Sequence, residues 1–394
     1  MQGASRKETI KELLSRGVAE VLDRVHLEKR LISGEKLRIK LGIDPTSPNI
    51  HLGRSVPLLK LRDLQELGHQ IVFIVGNFTG VIGDTSDKSA ERPMLERSAV
   101  EENLKTYLDQ YKKILDIERT EIRYNAEWLE PLGYKEIAHQ ANAFSLAEFV
   151  ARKNIKDRLE AGKRISLREL LYPLMQGYDS VVVKADLELG GTDQWFNLLA
   201  GRTLQEQYGQ NPQDIMTMNL IMGTDGRKMS SSWGNTINLF DEPKEMFGKV
   251  MSMRDEEMVS YFVHCTRVPM QEVVEIEQAL AAGSVNPRDT KIRLAHEITK
   301  MYWGAEGARA GEEYFRSIFQ KKELPADIET VRVSSYGIVN VLVETGLVKS
   351  KTDARRVLKE GGVKVNDAVV TDEGFSVPPG AVLQKGKKSF KRIS

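Results

Sequence analysis

Between residues 44 and 54 the chain reads DPTSPNIHLGR, and between 226 and 235 it reads GRKMSSSWGN. The first stretch joins a strand-like run to a helix-like one. A helix N-terminus at that place offers backbone N–H groups and a partial positive charge, which suits phosphate. It carries Thr46, His51 and Gly53. His51 can donate to a phosphate oxygen, and Gly53 allows close approach to the backbone. The pattern is not Gly-x-Gly-x-x-Gly, so a dinucleotide fold is not indicated. The second stretch sets Lys228 among serines and glycines just after the apolar run IMTMNLIMG. Alone it reads as a solvated loop.

A third group lies in SLRELLYPLMQGYDS (166–180). Ser166 and Glu169 form a Ser-x-x-Glu capping box that starts a helix. Tyr172, Gln176 and Asp179 then share one face at helical spacing, while Leu170, Leu174 and Met175 turn to the core. Pro173 removes one helical hydrogen bond. A hydroxyl, an amide and a carboxylate in one stripe are usually just a solvated face. Here the stripe follows a phosphate turn and precedes LGGTDQWFN (189–197).

Strands and helices must bring these groups together. LRIKLGID (37–44) and HQIVFIVGNF (69–78) are strand-like, with a helix between them. Strand, helix, strand with short connections predicts a parallel sheet. TEIRYN (120–125), ADLELGG (185–191) and DIMTMNL (214–220) continue the alternation, and residues 1–35 read as helices with charged faces. The expected fold is therefore α/β: a Rossmann-like doubly wound parallel-sheet domain over 1–235, an all-α domain over 236–325, and a small α+β domain over 331–394. KKELPADIET reads as a linker between the last two.

Composition sets limits on function. The 394 residues are 41% hydrophobic and 29% charged, ordinary for a globular protein. No apolar run is long enough to span a membrane, and the charged N-terminus lacks a signal core. One cysteine, Cys265, excludes a disulfide framework and a thiolate zinc site. These features predict a cytoplasmic protein. Residues 331–394 hold 12 Lys/Arg against 6 Asp/Glu, a net of +6, so the rest carries −5 of the overall +1. A basic tail on a mildly acidic body suggests a polyanionic partner.

His-x-Gly at the first helix, with a Lys-Met-Ser-rich loop after the last strand, resembles the paired HIGH and KMSKS signatures of class I aminoacyl-tRNA synthetases. The resemblance sharpens across FTGVIGD, YNAEW, YPLMQGYD and GGTDQWFNLL, and over essentially the whole chain it is to the tyrosyl-tRNA synthetases. It implies that Lys228 steadies the ATP phosphates, with Thr46, His51, Arg54, Ser230 and Ser232 in support. It implies an ATP site of Gly42, His51, Gly53, Gly191, Asp193 and Lys228, with Asp193 on the ribose. Tyr172, Gln176 and Asp84 would hold the α-ammonium of tyrosine, and Asp179 would accept from its phenolic hydroxyl. Gln194, Asp44, Thr79 and Asn125 would line the same pocket. For Asp44 and Asp84 turn capping is the alternative. Lys88 and Arg92 match residues that meet pyrophosphate or the tRNA end.

Departures from the family pattern are visible. Arg54 stands where the second His of HIGH is expected, and Ser231 where the second Lys of KMSKS is expected. Arg54 or Arg227 would have to supply the missing cation. Lys40 stands where one branch of the family has a tyrosine that bonds the phenol. The tail GLVKSKTDARRVLKEGGVKVNDAVV resembles a small RNA-binding domain shared with a ribosomal protein. It implies tRNA contacts by Lys349, Lys351, Arg355, Arg356 and Lys359, which neutralise phosphates without reading bases. The resemblance further implies tyrosine, ATP with Mg²⁺ and tRNA as partners, a homodimer, and no protein-bound metal. The alternatives are a tryptophanyl-tRNA synthetase, or an RNA-binding protein with an inactive synthetase domain.

Overall fold

A computed structural model describes residues 5–86, 94–319, 328–366, 368–386 and 389–394. The chain forms two compact units, Met1–Ala308 and Arg309–Ser394. The first is built on a six-stranded sheet: β1 (Val18–Leu22), β2 (Arg38–Ile43), β3 (Gln70–Val75), β4 (Thr120–Tyr124), β5 (Leu187–Gly191) and β6 (Asp214–Met218), in the order β1-β6-β5-β2-β3-β4. The five strands β2 to β6 are parallel, β2 matching Arg38 to Gln70 on β3 and Ile39 to Leu187 on β5. Strands covered on both faces read as continuous apolar runs. QIVFIV is such a run, and its Ile71, Val72, Phe73 and Ile74 are all buried.

Residues 1–35 are not helical throughout. β1 lies at the edge of the sheet and pairs antiparallel with β6, Val18 opposite Met218 and Leu22 opposite Ile215. The helix Arg6–Leu13 ends before Gly17, whose φ of +67° turns the chain into the strand. VAEVL is then well suited to a half-buried edge. Asp23 ends the strand in a left-handed conformation and caps the helix Arg24–Ser33 by accepting from the His26 N–H.

Two helices frame the site. Leu52–Glu66 follows β2 and is capped by His51. Leu167–Val183 begins with the capping box of Ser166 and Glu169. Glu169 also receives the buried Arg158 guanidinium at 2.5 Å, which ties the start of that helix to Lys153–Glu160. Pro243–Ser252, Met258–Cys265, Met270–Ala281 and the long Pro287–Phe319, broken at Gly304 (φ +71°), supply the expected helical stretch.

In the second unit, Ile338–Glu344 and Lys351–Lys359 accompany a five-stranded sheet: β7 (Thr330–Val331), β8 (Val363–Val365), β9 (Ala368–Val369), β10 (Val382–Lys385) and β11 (Ser389–Ile393). Val341, Leu342, Ala354, Leu358, Leu383 and Ile393 are among its buried core. Among the described residues no helix is long and apolar enough to cross a membrane.

Candidate active site

A cleft of about 620 Å³ opens at the carboxyl ends of β2, β5 and β6. Ligands of open α/β sheets bind at such a place. Every described residue assigned from sequence to phosphate, ATP or amino-acid contact lines it. Gly42 lies near the end of β2, Asp44 and Thr46 follow it, and His51, Gly53 and Arg54 are at the start of the next helix. Thr79 begins the short helix Thr79–Ile82, Asp84 follows that helix, Asn125 follows β4, and Tyr172, Gln176 and Asp179 come from one helix. Gly191 ends β5, Asp193 and Gln194 follow it, and Lys228, Ser230 and Ser232 close the set. Lys88 and Arg92 lie outside the described residues.

One part of the cleft is a hydrogen-bonded chain around two carboxylates. Asp179 is 3% exposed. Burial pushes its carboxyl up to about 7, against the pull of Lys40, Trp128 and Asn125. Trp128 donates its Nε1–H to Oδ1 at 2.8 Å, and Asn125 donates Nδ2–H to Oδ2 at 3.4 Å. Asn125 also donates to Thr79 Oγ1 at 2.9 Å. Thr79 in turn donates to Asp44 Oδ1 at 2.7 Å, and the Tyr172 hydroxyl donates to Asp44 Oδ2 at 2.8 Å. Burial, with the Asp44 charge next, holds that phenol well above its ordinary range. Asp44 therefore joins two side chains across the cleft. Asp84 accepts from the N–H and hydroxyl of Ser86, a local turn, and also from Gln194 Nε2 at 2.7 Å.

Trp128 and Gly76 are two members of this network that sequence reasoning did not single out. A Cβ on Gly76 would stand 2.0 Å from Asp44 Oδ1 and 2.4 Å from Thr79 Oγ1, so only glycine lets those side chains meet. The signal for Trp128 was its place three residues after Asn125, one helical turn on.

The phosphate-like end differs in detail from expectation. The N–H groups that begin Leu52–Glu66 are engaged within the protein. Leu52 N–H bonds the Ile237 carbonyl at 2.9 Å, Gly53 N–H meets Met229 Sδ at 3.3 Å, and Arg54 N–H bonds the His51 carbonyl at 2.9 Å and faces His51 Nδ1 at 3.4 Å. Met229, from the Lys-Met-Ser loop, is thus seated on the helix end. Burial, then the charges of Arg54 and Lys228, push His51 down to about 3. Its ring is neutral at physiological pH, and with Nδ1 facing a donor the proton sits on Nε2. Arg54 donates to Thr46 Oγ1 and Tyr107 Oη, each at 2.9 Å. It lines the cleft, whereas Arg227 bonds Asp225 and lies over the Trp233 ring. Lys228 is 2.9 Å from Asp193 Oδ2. Ser231 Oγ is 3.4 Å from Ser47 Oγ, so the loop reaches the turn after β2.

In the second unit Lys349, Lys351, Arg355, Arg356 and Lys359 are all exposed. Arg355 pairs with Glu373 at 3.0 Å, and Arg356 with Asp353 at 2.6 Å and Glu360 at 3.0 Å. The two arginines thus carry acidic partners.

Comparison with known proteins gives concordant results. Residues 33–320 match the family model described as tRNA synthetases class I (W and Y), and residues 337–383 match the S4 domain. A tyrosine–tRNA ligase of Thermotoga maritima is 45% identical over 387 residues, covering 97% of this chain and 96% of that one. A tyrosine–tRNA ligase of Dehalococcoides mccartyi is 44% identical, covering 97% and 98%. Among solved structures, the Archaeoglobus fulgidus tyrosyl-tRNA synthetase complexed with L-tyrosine superposes with a TM-score of 0.62 at 22% identity, over 78% of this chain and 100% of that one. A C-terminally truncated mitochondrial tyrosyl-tRNA synthetase of Aspergillus nidulans reaches 0.65 at 22%, over 79% and 94%. At these identities the solved structures speak for the fold.

Proposed function

Since the chain belongs to the class I tRNA synthetases of the tryptophan and tyrosine type, we propose that it is a tyrosine–tRNA ligase. It activates L-tyrosine with ATP and transfers it to the 3′ end of its tRNA. One observation carries this reading: a single cleft holds both a buried carboxylate, Asp179, and the phosphate turn with Lys228. A carboxylate buried without a charged partner in contact is costly. A phenolic hydroxyl supplies a further donor to it, whereas phenylalanine would leave it short of one.

In this reading Asp179 accepts from the phenol, and Trp128 and Asn125 hold its two oxygens. Tyr172, Gln176 and Asp84 surround the α-ammonium, with Asp44, Thr79 and Gln194 beside them. Asp193 takes the ribose. Gly42, Gly53 and Gly191 leave room for ATP, and His51 Nε2–H, Thr46, Arg54, Ser230 and Ser232 face its phosphates. Lys228 exchanges Asp193 for those phosphates. An oxygen of the tyrosine carboxylate attacks the α-phosphorus, the bond to the bridging oxygen breaks, and pyrophosphate leaves with the electron pair. A hydroxyl of the terminal tRNA ribose then attacks the activated carbonyl, and AMP leaves. Neither step uses a covalent enzyme intermediate. Positioning and charge stabilisation are what the chain contributes.

Mg²⁺ would arrive on the ATP phosphates. Among the described residues no group of three or more His, Cys, Asp or Glu is arranged to hold a metal. The exposed Lys349, Lys351 and Lys359, with Arg355 and Arg356, face the tRNA backbone, and Lys88 and Arg92 its acceptor end. A cytoplasmic homodimer, with one tRNA spanning two subunits, completes the proposal.

The test is amino-acid-dependent ATP–pyrophosphate exchange without tRNA, offering tyrosine, tryptophan and phenylalanine separately. Exchange with tyrosine alone is expected. Exchange with tryptophan would overturn the assignment of the Asp179 pocket. No exchange with any of them would point to an RNA-binding protein on an inactive synthetase scaffold.

A further inference from the structure

β2 and β5 are neighbours in the middle of the sheet, and each carries a charged residue in its interior: Lys40 in RIKLGI, which also opens on Arg38, and Glu188 in LELGG. The register sets Lys40 directly beside Glu188. Both side chains are 0% exposed, with Nζ 2.8 Å from Oε1. Lys40 also donates to the Ser180 hydroxyl oxygen and the Gln176 carbonyl, each at 2.7 Å. Glu188 accepts from Gln176 Nε2 at 3.1 Å, from the Ser180 hydroxyl at 3.0 Å and from Gln213 Nε2 at 2.5 Å.

An ion pair this deep is a poor way to gain stability, because desolvation cancels most of the attraction and an apolar pair of similar volume does as well or better. Its connections suggest another use. Neither residue lines the cleft, but Gln176 does. The Gln176 carboxamide is held at both ends, by Glu188 on Nε2 and by Asn197 on Oε1 at 3.1 Å. Ser180, which both members of the pair hold, directly follows Asp179. The titratable groups that act on Asp179 are Lys40 on β2, Glu188 on β5 and Tyr172 on its own helix, with Asp44 and Asp84 acting on the same tyrosine.

We propose that the buried Lys40–Glu188 pair is a positioning element of the amino-acid subsite. It fixes the Gln176 carboxamide and the Ser180 hydroxyl next to Asp179, and so sets how tightly and how selectively the chain holds tyrosine without touching it. The inference rests on the reading of Gln176 and Asp179 as tyrosine ligands.

The decisive variant is Lys40→Met with Glu188→Met, which removes both charges at nearly constant volume and is expected to fold. Tyrosine-dependent pyrophosphate exchange should show KM for tyrosine raised roughly 10- to 100-fold, the range for losing charge-assisted contacts. KM for ATP should stay within about twofold, since a merely structural lesion would not separate the two substrates. The preference for tyrosine over phenylalanine should fall in parallel. The acid limb of kcat/KM for tyrosine should move to higher pH, because the pull of Lys40 on Asp179 outweighs the push of Glu188. Glu188→Gln, nearly isosteric, gives a second reading: it too should raise KM for tyrosine selectively. A folded double variant with wild-type KM for tyrosine and wild-type selectivity would overturn the inference alone. Absence of tyrosine-dependent exchange in the unaltered chain would overturn the reading of the site and the inference with it.

Discussion

Asp179 supports a prediction about pH that can be worked from the structure. Its carboxyl is displaced from an ordinary value of 3.8 to about 7, chiefly by burial. The folded chain therefore binds this proton more tightly than the unfolded one. Stability from this group is greatest below pH 3.8 and falls as pH rises towards 7, by roughly 4 kcal/mol in all. Tyrosine reverses the balance, because its hydroxyl donates to the ionised form. The ionised share falls from about nine-tenths at pH 8 to about one-tenth at pH 6, so affinity for tyrosine should drop about tenfold over that range. Phenylalanine, which has no hydroxyl, should not lose affinity. Trp128→Phe removes the 2.8 Å donor to Oδ1 while keeping the ring over which Arg123 lies. A bond to a charged group contributes about 1.5–3 kcal/mol, so the midpoint should rise by about one to two pH units. At pH 7, where the wild-type carboxyl is half ionised, the variant should then bind tyrosine about 5- to 50-fold more weakly, with phenylalanine little changed. Equilibrium titration of both amino acids at pH 6, 7 and 8, without ATP, measures all of this. Tyrosine affinity that is flat from pH 6 to 8, or a Trp128→Phe midpoint that coincides with wild type, would refute the reasoning.

Other perturbations separate the parts of the site. Lys228→Met removes the cation now paired with Asp193. The maximal exchange rate should fall by about 10²–10³ while KM for tyrosine is unchanged, and a lowered tyrosine affinity would place Lys228 elsewhere. Gly76→Ala drives a methyl into Asp44 and Thr79. It should destabilise the fold by about 1–3 kcal/mol and weaken tyrosine binding, which thermal melting and titration would show together. Lys351→Ala with Lys359→Ala should leave exchange intact and flatten the salt dependence of tRNA binding, each lost phosphate contact lowering the logarithmic slope by roughly 0.7–0.9. An unchanged slope would move the RNA surface off the helix Lys351–Lys359.

What could be read in advance follows from how local each signal is. The parallel core was legible because apolar runs such as QIVFIV alternate with amphipathic helices, and the strand-to-helix turn at 44–54 places its own residues at the carboxyl end of β2. The helix Leu167–Val183 was legible from its capping box, which the structure contains. The edge strand β1 was not. It is five residues among charged helices, and only the partner β6 makes VAEVL a strand. Met229 looked like part of a polar loop, yet it is 4% exposed because its thioether covers the end of Leu52–Glu66. The same contact explains why N–H groups expected to be open are engaged: that helix end and the loop, 170 residues and more apart in sequence, are adjacent in space.

Lys40 and Glu188 show where a local reading stops and what could extend it. A lysine in the middle of RIKLGI looks like a departure from a family pattern as long as β2 is considered alone. A charge buried in a central strand must be paired, since leaving it alone costs far more than any packing could return. The partner must therefore lie on a neighbouring strand, on the same face, with the opposite sign. LELGG offers one in Glu188, whereas β6 reads DIMTM, whose only charge is at its first position, and QIVFIV carries none; the other interior glutamates, in VAEVL and TEIRY, lie on the two edge strands of the sheet. The requirement that Lys40 be neutralised is met by Glu188, position 40 standing beside position 188 in the pairing that the sheet adopts. Charge conservation within an apolar layer carries long-range information that hydrophobic periodicity does not. In this chain it leads from a residue that seemed out of place to the side chains of Gln176 and Asp179.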